Sequence, residues 1–259
     1  MTNIPFFQVD AFADAPFTGN PAAVMPLERW LDDGVMQSIA AENNLAETAF
    51  TVASDGDEMD YELRWFTPTV EVNLCGHATL ASAHVLMGGP RVRFATRSGI
   101  LTVTREDDLL ALDLPASEVE SADLPELTRA LGVTGETFLS REGNGNAIIL
   151  LGDEAAVRAV EPDFAALAKL PFLVSVTAPG DEQDVASRVF AAYHGIPEDP
   201  VTGSAHAALT PFWARRLGRD QFIALQASAR SGVLHCRLAG NRVILGGRCT
   251  TVIVGNFQL

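Results

Sequence analysis

The side chains best suited to chemistry gather at two polar turns, each opening a run of small and apolar residues. The first turn reads Asn73-Leu74-Cys75-Gly76-His77-Ala78-Thr79, and the second Asp199-Pro200-Val201-Thr202-Gly203-Ser204-Ala205-His206. A third candidate, Glu47, is the one carboxylate in Leu45-Ala46-Glu47-Thr48-Ala49-Phe50-Thr51-Val52. These residue types move protons. A base removes a proton from carbon, helix N-terminal N–H groups hold the resulting enolate or carboxylate charge, and an acid returns the proton elsewhere. No cofactor is called for: Gly143-x-Gly145 is only a turn signal, and neither a G-x-G-x-x-G nor a Walker pattern occurs. The five histidines show no metal-ligand spacing, so no metal is expected either.

The candidates carry different weight. Cys75 precedes a helix, where the helix N-terminus stabilises a thiolate. His77 and Ser204 each follow a glycine by one residue and occupy equivalent places, which favours a functional reading of the pair. Gly76 is expected in a tight turn, since glycine accepts backbone angles denied to other residues. Glu47 has two readings left open, an edge-strand glutamate facing water and a buried, chemically tuned carboxylate. In the second reading, partial desolvation by Leu45, Ala46 and Ala49 raises its pKa. His84, inside the apolar run, is expected to be a satisfied core histidine. His194 and His235 read as loop and strand surface, and Cys236 and Cys249 as inert packing.

Positioning these groups requires two buried helices. From Ala78 to Met87 the residues are small or apolar on nearly every side, the pattern of a helix enclosed by protein. Its N-terminus presents unpaired N–H groups and the positive end of its dipole. Thr202 to Leu209 repeats the device, Gly203 following Gly76 by 127 residues. Flanking landmarks repeat in order: Arg64-Trp65-Phe66 with Arg188-Val189-Phe190, and Arg97-Ser98-Gly99-Ile100-Leu101 with Arg230-Ser231-Gly232-Val233-Leu234. The offsets run from 124 to 133 residues. The chain therefore reads as two similar halves, residues 1–115 and 116–259, with Pro115–Ser121 as linker. Facing helix mouths would form a ligand cleft between them.

The remaining pattern supplies the sheets. Alternation predicts strands over 6–12, 22–25, 45–52, 61–66, 91–96 and 100–114 in the first half, with a helix over 30–44. Asp14 to Pro21, dense in turn formers, makes a long hairpin loop that suits either a functional role or a plain surface turn. The second half predicts helices over 125–131 and 154–170, and strands over 137–140, 147–151, 172–177, 185–193, 222–227, 232–238, 243–246 and 250–257. The fold class is α+β, each half a mostly antiparallel, curved sheet around one buried helix.

Composition excludes several functions. Apolar residues make up 47% and charged residues 20%, enough for a proper core. The net charge of −15, with Lys169 the sole lysine, repels phosphate backbones and anionic membranes, so no nucleic-acid partner is expected. No run approaches the roughly 18 apolar residues of a membrane span. Met1 to Pro5 lacks the basic flank and apolar core of a signal peptide. Three cysteines with no C-x-x-C spacing argue against a disulfide framework or zinc site. The expected compartment is the cytoplasm.

At the chemical residues the sequence resembles a known family. Asp10-Ala11-Phe12, Gly19-Asn20-Pro21-Ala22-Ala23-Val24, Asn44-Leu45-Ala46-Glu47-Thr48-Ala49-Phe50, Cys75-Gly76-His77-Ala78-Thr79 and Asp199-Pro200-Val201-Thr202-Gly203-Ser204-Ala205-His206 are similar to signatures of the PhzF-like phenazine-biosynthesis isomerases. They stand in the family's order. The resemblance implies the diaminopimelate-epimerase fold, a homodimer, a small carboxylate substrate and no cofactor. The founding activity is isomerisation of trans-2,3-dihydro-3-hydroxyanthranilate, with a glutamate shuttling the proton. Carried over, that glutamate is Glu47, with His77 and Asp199 beside it in the chemistry. Cys75, Gly76, Thr202, Gly203 and Ser204 then bind the substrate. In the wider superfamily two opposed cysteines act as bases; here Cys75 faces Thr202 in that scheme, which argues against two-base racemisation. A cysteine–threonine dehydratase or epimerase of a hydroxy amino acid is the alternative reading, and a non-catalytic small-molecule binding protein a third.

Overall fold

The computed structural model describes residues 2–56, 58–141 and 145–259. The Gly143 end of the Gly143-x-Gly145 turn signal lies outside them. The chain forms two compact units, one running to Asp113 and including Gly246–Leu259, the other Leu114–Leu245. The expected division is 1–115 and 116–259; here the second unit begins at Leu114, and the last strand belongs to the first unit, where it pairs with the first strand.

Elements are numbered in chain order. The first unit holds β1 (Asn3–Ala11), β2 (Asn20–Leu27), α1 (Asp33–Asn43), β3 (Glu47–Ala53), β4 (Tyr61–Phe66), β5 (Glu71–Val72), α2 (Gly76–Leu86), β6 (Arg91–Thr96), β7 (Gly99–Glu106) and β8 (Leu109–Pro115). The second holds β9 (Val119–Ser121), α3 (Pro125–Leu131), β10 (Glu136–Ser140), β11 (Asn146–Leu150), α4 (Glu154–Arg158), α5 (Phe164–Leu167), β12 (Leu173–Pro179), β13 (Val185–Ala191), β14 (Ile196–Asp199), α6 (Gly203–Leu217), β15 (Gln221–Gln226) and β16 (Gly232–Ala239). β17 (Arg242–Gly247) leads back to β18 (Cys249–Gln258) in the first unit.

The duplication is written in the pairings. In the first unit β2 runs parallel to β3, β3 antiparallel to β4, and β4 antiparallel to β5 but parallel to β6, which turns back on β7. In the second unit β11, β12, β13, β14, β15 and β16 repeat that series with the same directions. The antiparallel partners outside it match as well, β18–β1–β2 in one unit and β9–β10–β11 in the other. The fold is α+β, as expected.

α2 packs against β1, β2 and β3 and is buried from Gly76 to Ala83. Its polar residues survive there because they bond backward along the helix: Thr79 Oγ1 donates to the Cys75 carbonyl at 2.5 Å and Ser82 Oγ to Ala78 at 2.7 Å. α6 is buried from Ala205 to Ala214 and contains Pro211, which cannot donate to the carbonyl of Ala207. Ser117 N fills that place at 3.0 Å. The expected linker Pro115–Ser121 is therefore structural, contributing this bond and the strand β9.

Three further expectations are corrected. The helix predicted over 154–170 is two short helices, because Pro162 removes a donor and pushes Glu161 out of helical angles. The strand predicted over 100–114 is the hairpin β7–β8, turned at Asp107 with φ 55°. His84 is exposed rather than a core histidine, at the end where α2 surfaces, and its Nε2 lies 3.0 Å from Thr251 Oγ1. Among the described residues no helix is long and apolar enough to cross a membrane.

Candidate functional site

Gly76 and Gly203 are the first residues of α2 and α6, and neither has a positive φ. The expected tight turn at Gly76 is thus a direct entry from extended backbone into helix. The preceding residues have extended angles, φ −144° at Cys75 and −118° at Thr202, and neither side chain caps its own helix. The first-turn N–H groups are left without the side-chain partner that an N-cap residue usually supplies.

In the first unit, three of the candidates converge. Glu47 opens β3 and is 9% exposed; Cys75 and His77 are buried beside it. His77 Nε2 stands 2.9 Å from Glu47 Oε2, an oxygen with no other partner among the described residues. The surface-glutamate reading of Glu47 is thereby set aside. On the other side of the ring, Nδ1 lies 3.1 Å from Asn20 Nδ2 and 3.6 Å from Cys75 Sγ. Asn20 was not singled out for a role in the sequence, although it lies in the Gly19-Asn20-Pro21 motif. The turn itself was the available signal: Gly19 has φ +66°, and a Cβ there would meet the Ala11 carbonyl oxygen at 2.3 Å.

Electrostatics separate the roles. Burial, with Glu47 adding to it, pushes the Cys75 thiol up to about 11, so the expected thiolate at the helix N-terminus is not present near neutral pH. Desolvation outweighs the helix because the sulfur is enclosed on all sides. Burial disfavours the charged form of His77, but negative charge at Cys75 and Glu47 opposes it and the net direction is upward. Cys236 is likewise inert, its thiol pushed up to about 12 by burial.

Glu47, Cys75 and His77 are also the group of ligand-type side chains, among the described residues, that could hold a metal ion. A tetrahedral zinc with ligands near 2.1 Å would hold them about 3.4 Å apart. The 2.9 Å contact between His77 and Glu47 is hydrogen-bond spacing instead.

The second unit gathers Asp199, Thr202, Gly203 and Ser204 at the mouth of α6. Thr202 Oγ1 donates to Asp199 Oδ2 at 2.5 Å and accepts from Gln226 Nε2 at 3.2 Å. Gln226, fully buried on β15, also donates to the Asp199 carbonyl at 2.7 Å and accepts from Thr202 N at 2.8 Å. Ser228 fastens Pro200 at 2.8 Å. Sequence reading missed Gln226 because it stands 24 residues beyond the turn that it holds. A threonine hydroxyl engaged on both sides is not available as a base. Ser204 is half-buried one residue into the helix, and His206 is fully buried with Nδ1 2.9 Å from the Thr202 carbonyl. β12, the counterpart of β3, contains no carboxylate, so nothing in the second unit's sheet matches Glu47 at that strand.

Known proteins share this organisation. The family model described as phenazine biosynthesis-like protein (PhzC-PhzF) matches residues 9–255. An uncharacterized isomerase of Pseudomonas aeruginosa is 50% identical over 99% of both chains. A human phenazine biosynthesis-like domain-containing protein is 35% identical, covering 97% of this chain and 98% of its own. The crystal structure of a PhzF-family protein from Enterococcus faecalis superposes with a TM-score of 0.93 at 45% identity, over the whole of both chains. A hydroxyproline epimerase from Agrobacterium vitis shares the fold at a TM-score of 0.63 and 14% identity, over 98% of this chain and 92% of its own.

Proposed function

Since this chain belongs to the PhzC-PhzF family of phenazine biosynthesis-like proteins, with relatives named as isomerases, we propose that it moves a proton between two carbons of a small carboxylate substrate without a cofactor. The observation that carries this reading is the buried Glu47 carboxylate at 2.9 Å from His77, present in one unit and absent from the counterpart strand of the other. One base that takes a proton from carbon, becomes a neutral acid and returns the proton to another carbon of the same face performs a suprafacial isomerisation. His77 and Asp199 position the substrate or relay a proton to a heteroatom. By resemblance, the N–H groups of Gly76 and Gly203 and the Ser204 hydroxyl are the donors to its carboxylate, with Cys75 and Thr202 as the other binding residues. By resemblance the substrate is trans-2,3-dihydro-3-hydroxyanthranilate or a related β-hydroxy or unsaturated amino acid, and the enzyme a cytoplasmic homodimer.

The test is conversion of that substrate in D₂O, which should place deuterium on the newly saturated carbon. Loss of water from a 3-hydroxy amino acid would favour the dehydratase instead, and binding without turnover the silent binding protein. The engaged Thr202 hydroxyl and protonated Cys75 both argue against the dehydratase. Cys75→Ser should therefore retain most of the isomerase activity; a loss as large as that from removing Glu47 would shift the assignment to cysteine–threonine chemistry. Protein treated with a strong chelator and dialysed should keep full turnover and contain no stoichiometric metal, flavin, pyridoxal phosphate or nicotinamide. Activity abolished by chelation would overturn the cofactor-free mechanism.

A further inference from the structure

We infer that Asn20 is a positioning residue for His77: its buried side-chain amide holds Nδ1 of the imidazole and so turns Nε2 toward the Glu47 carboxylate. The two ring nitrogens point in different directions, so a partner for one aims the other. Asn20 Nδ2 lies 3.1 Å from Nδ1, while Nε2 lies 2.9 Å from Glu47 Oε2. Cys75 cannot make this choice, because its sulfur is 3.6 Å from Nδ1 and 4.0 Å from Nε2, close to both. A ring turned over by 180° would keep the thiol contact and lose the amide.

The amide is itself held. Asn20 is fully buried as the first residue of β2, paired with Ala11. It is bracketed by Gly19, in left-handed backbone packed against the Ala11 carbonyl, and by Pro21, whose ring fixes φ. With the neutral ring, Nδ2–H placed 3.1 Å from Nδ1 donates to it, which leaves the ring proton on Nε2, facing Glu47. The same amide turned over would accept through Oδ1 from an imidazolium. Asn20 thus holds one ring orientation in either charge state of His77, which a carboxylate or an aliphatic side chain would not do.

The catalytic consequence rests on the proton-shuttle reading of Glu47; the ring orientation does not, and the experiment separates the two. Protein carrying ¹⁵N-histidine is examined by long-range ¹H–¹⁵N correlation as wild type, Asn20→Asp and Asn20→Leu. At pH above its raised folded value, wild-type His77 should show the neutral ring protonated at Nε2. Asn20→Asp, nearly isosteric but acceptor-only, should place a proton on Nδ1 as well and hold the ring as imidazolium to higher pH, and Asn20→Leu should give mixed tautomers of the neutral ring. On the substrate, Asn20→Leu should lower kcat by about 10- to 100-fold with KM changed less than about threefold, the scale expected when a reacting group is misplaced. An unchanged His77 ¹⁵N titration in folded Asn20→Asp would overturn the assignment, as would full kcat in folded Asn20→Leu. A shifted tautomer in a protein that does not turn over the substrate would uphold the positioning role and count against the proposed reaction alone.

Discussion

Glu47→Gln should leave substrate binding within a few fold of wild type and reduce turnover by about 10² to 10⁴, the contribution general acid–base catalysis usually makes. That range corresponds to roughly 3–5 kcal/mol of barrier. The substitution preserves the volume of a side chain that is 9% exposed, and its amide oxygen can still accept from His77 Nε2. Only the capacity to take a proton is lost. The Cys75 thiol beside it cannot substitute for it, because it stays protonated up to about 11. The assay follows deuterium entering product from D₂O, with ligand affinity measured separately. Deuterium incorporation at similar rates in wild type and Glu47→Gln would sink the shuttle.

The second large effect concerns stability against acid. His206 is fully buried, its Nδ1 bonded to the Thr202 carbonyl and its Nε2 without a partner among the described residues. Burial pushes it down from 6.5 to about 4, so the folded protein resists the proton that the unfolded chain accepts. The sign follows from linkage: stability is intact above pH 6.5, falls as the pH drops from 6.5 toward 4, and is no longer affected by this group below that. At 1.36 kcal/mol per unit the total loss is up to ~3 kcal/mol. His77 acts in the opposite sense. Raised in the folded state, it contributes stability that is present below 6.5 and lost as the pH climbs through its folded value. Denaturant melts of wild type and His206→Gln between pH 4 and 7 should differ in slope by one proton, the variant being the flatter. Parallel slopes would show that His206 is not held neutral by the fold.

Much of this architecture was readable in the chain. The two glycine turns, the two apolar runs behind them and the landmarks around them announced a duplicated α+β protein, and the pairings of β2 to β7 and of β11 to β16 repeat strand for strand. These features are local: hydrophobic periodicity and turn chemistry act within a few residues, so sequence records them. Pro162 also stood in plain view and broke a helix that the apolar pattern alone had extended. Other outcomes depended on residues distant in the chain. Burial decides whether Cys75 is a thiolate, and the enclosure of its sulfur overrides the helix N-terminus behind it. Asn20 meets His77 across 57 residues and Gln226 meets Thr202 across 24, contacts for which no local pattern exists. By itself the sequence determined which groups were present and which helices would carry them. Only the tertiary structure decided their protonation and partners, because desolvation and hydrogen bonding depend on what packs around a side chain rather than on what precedes it.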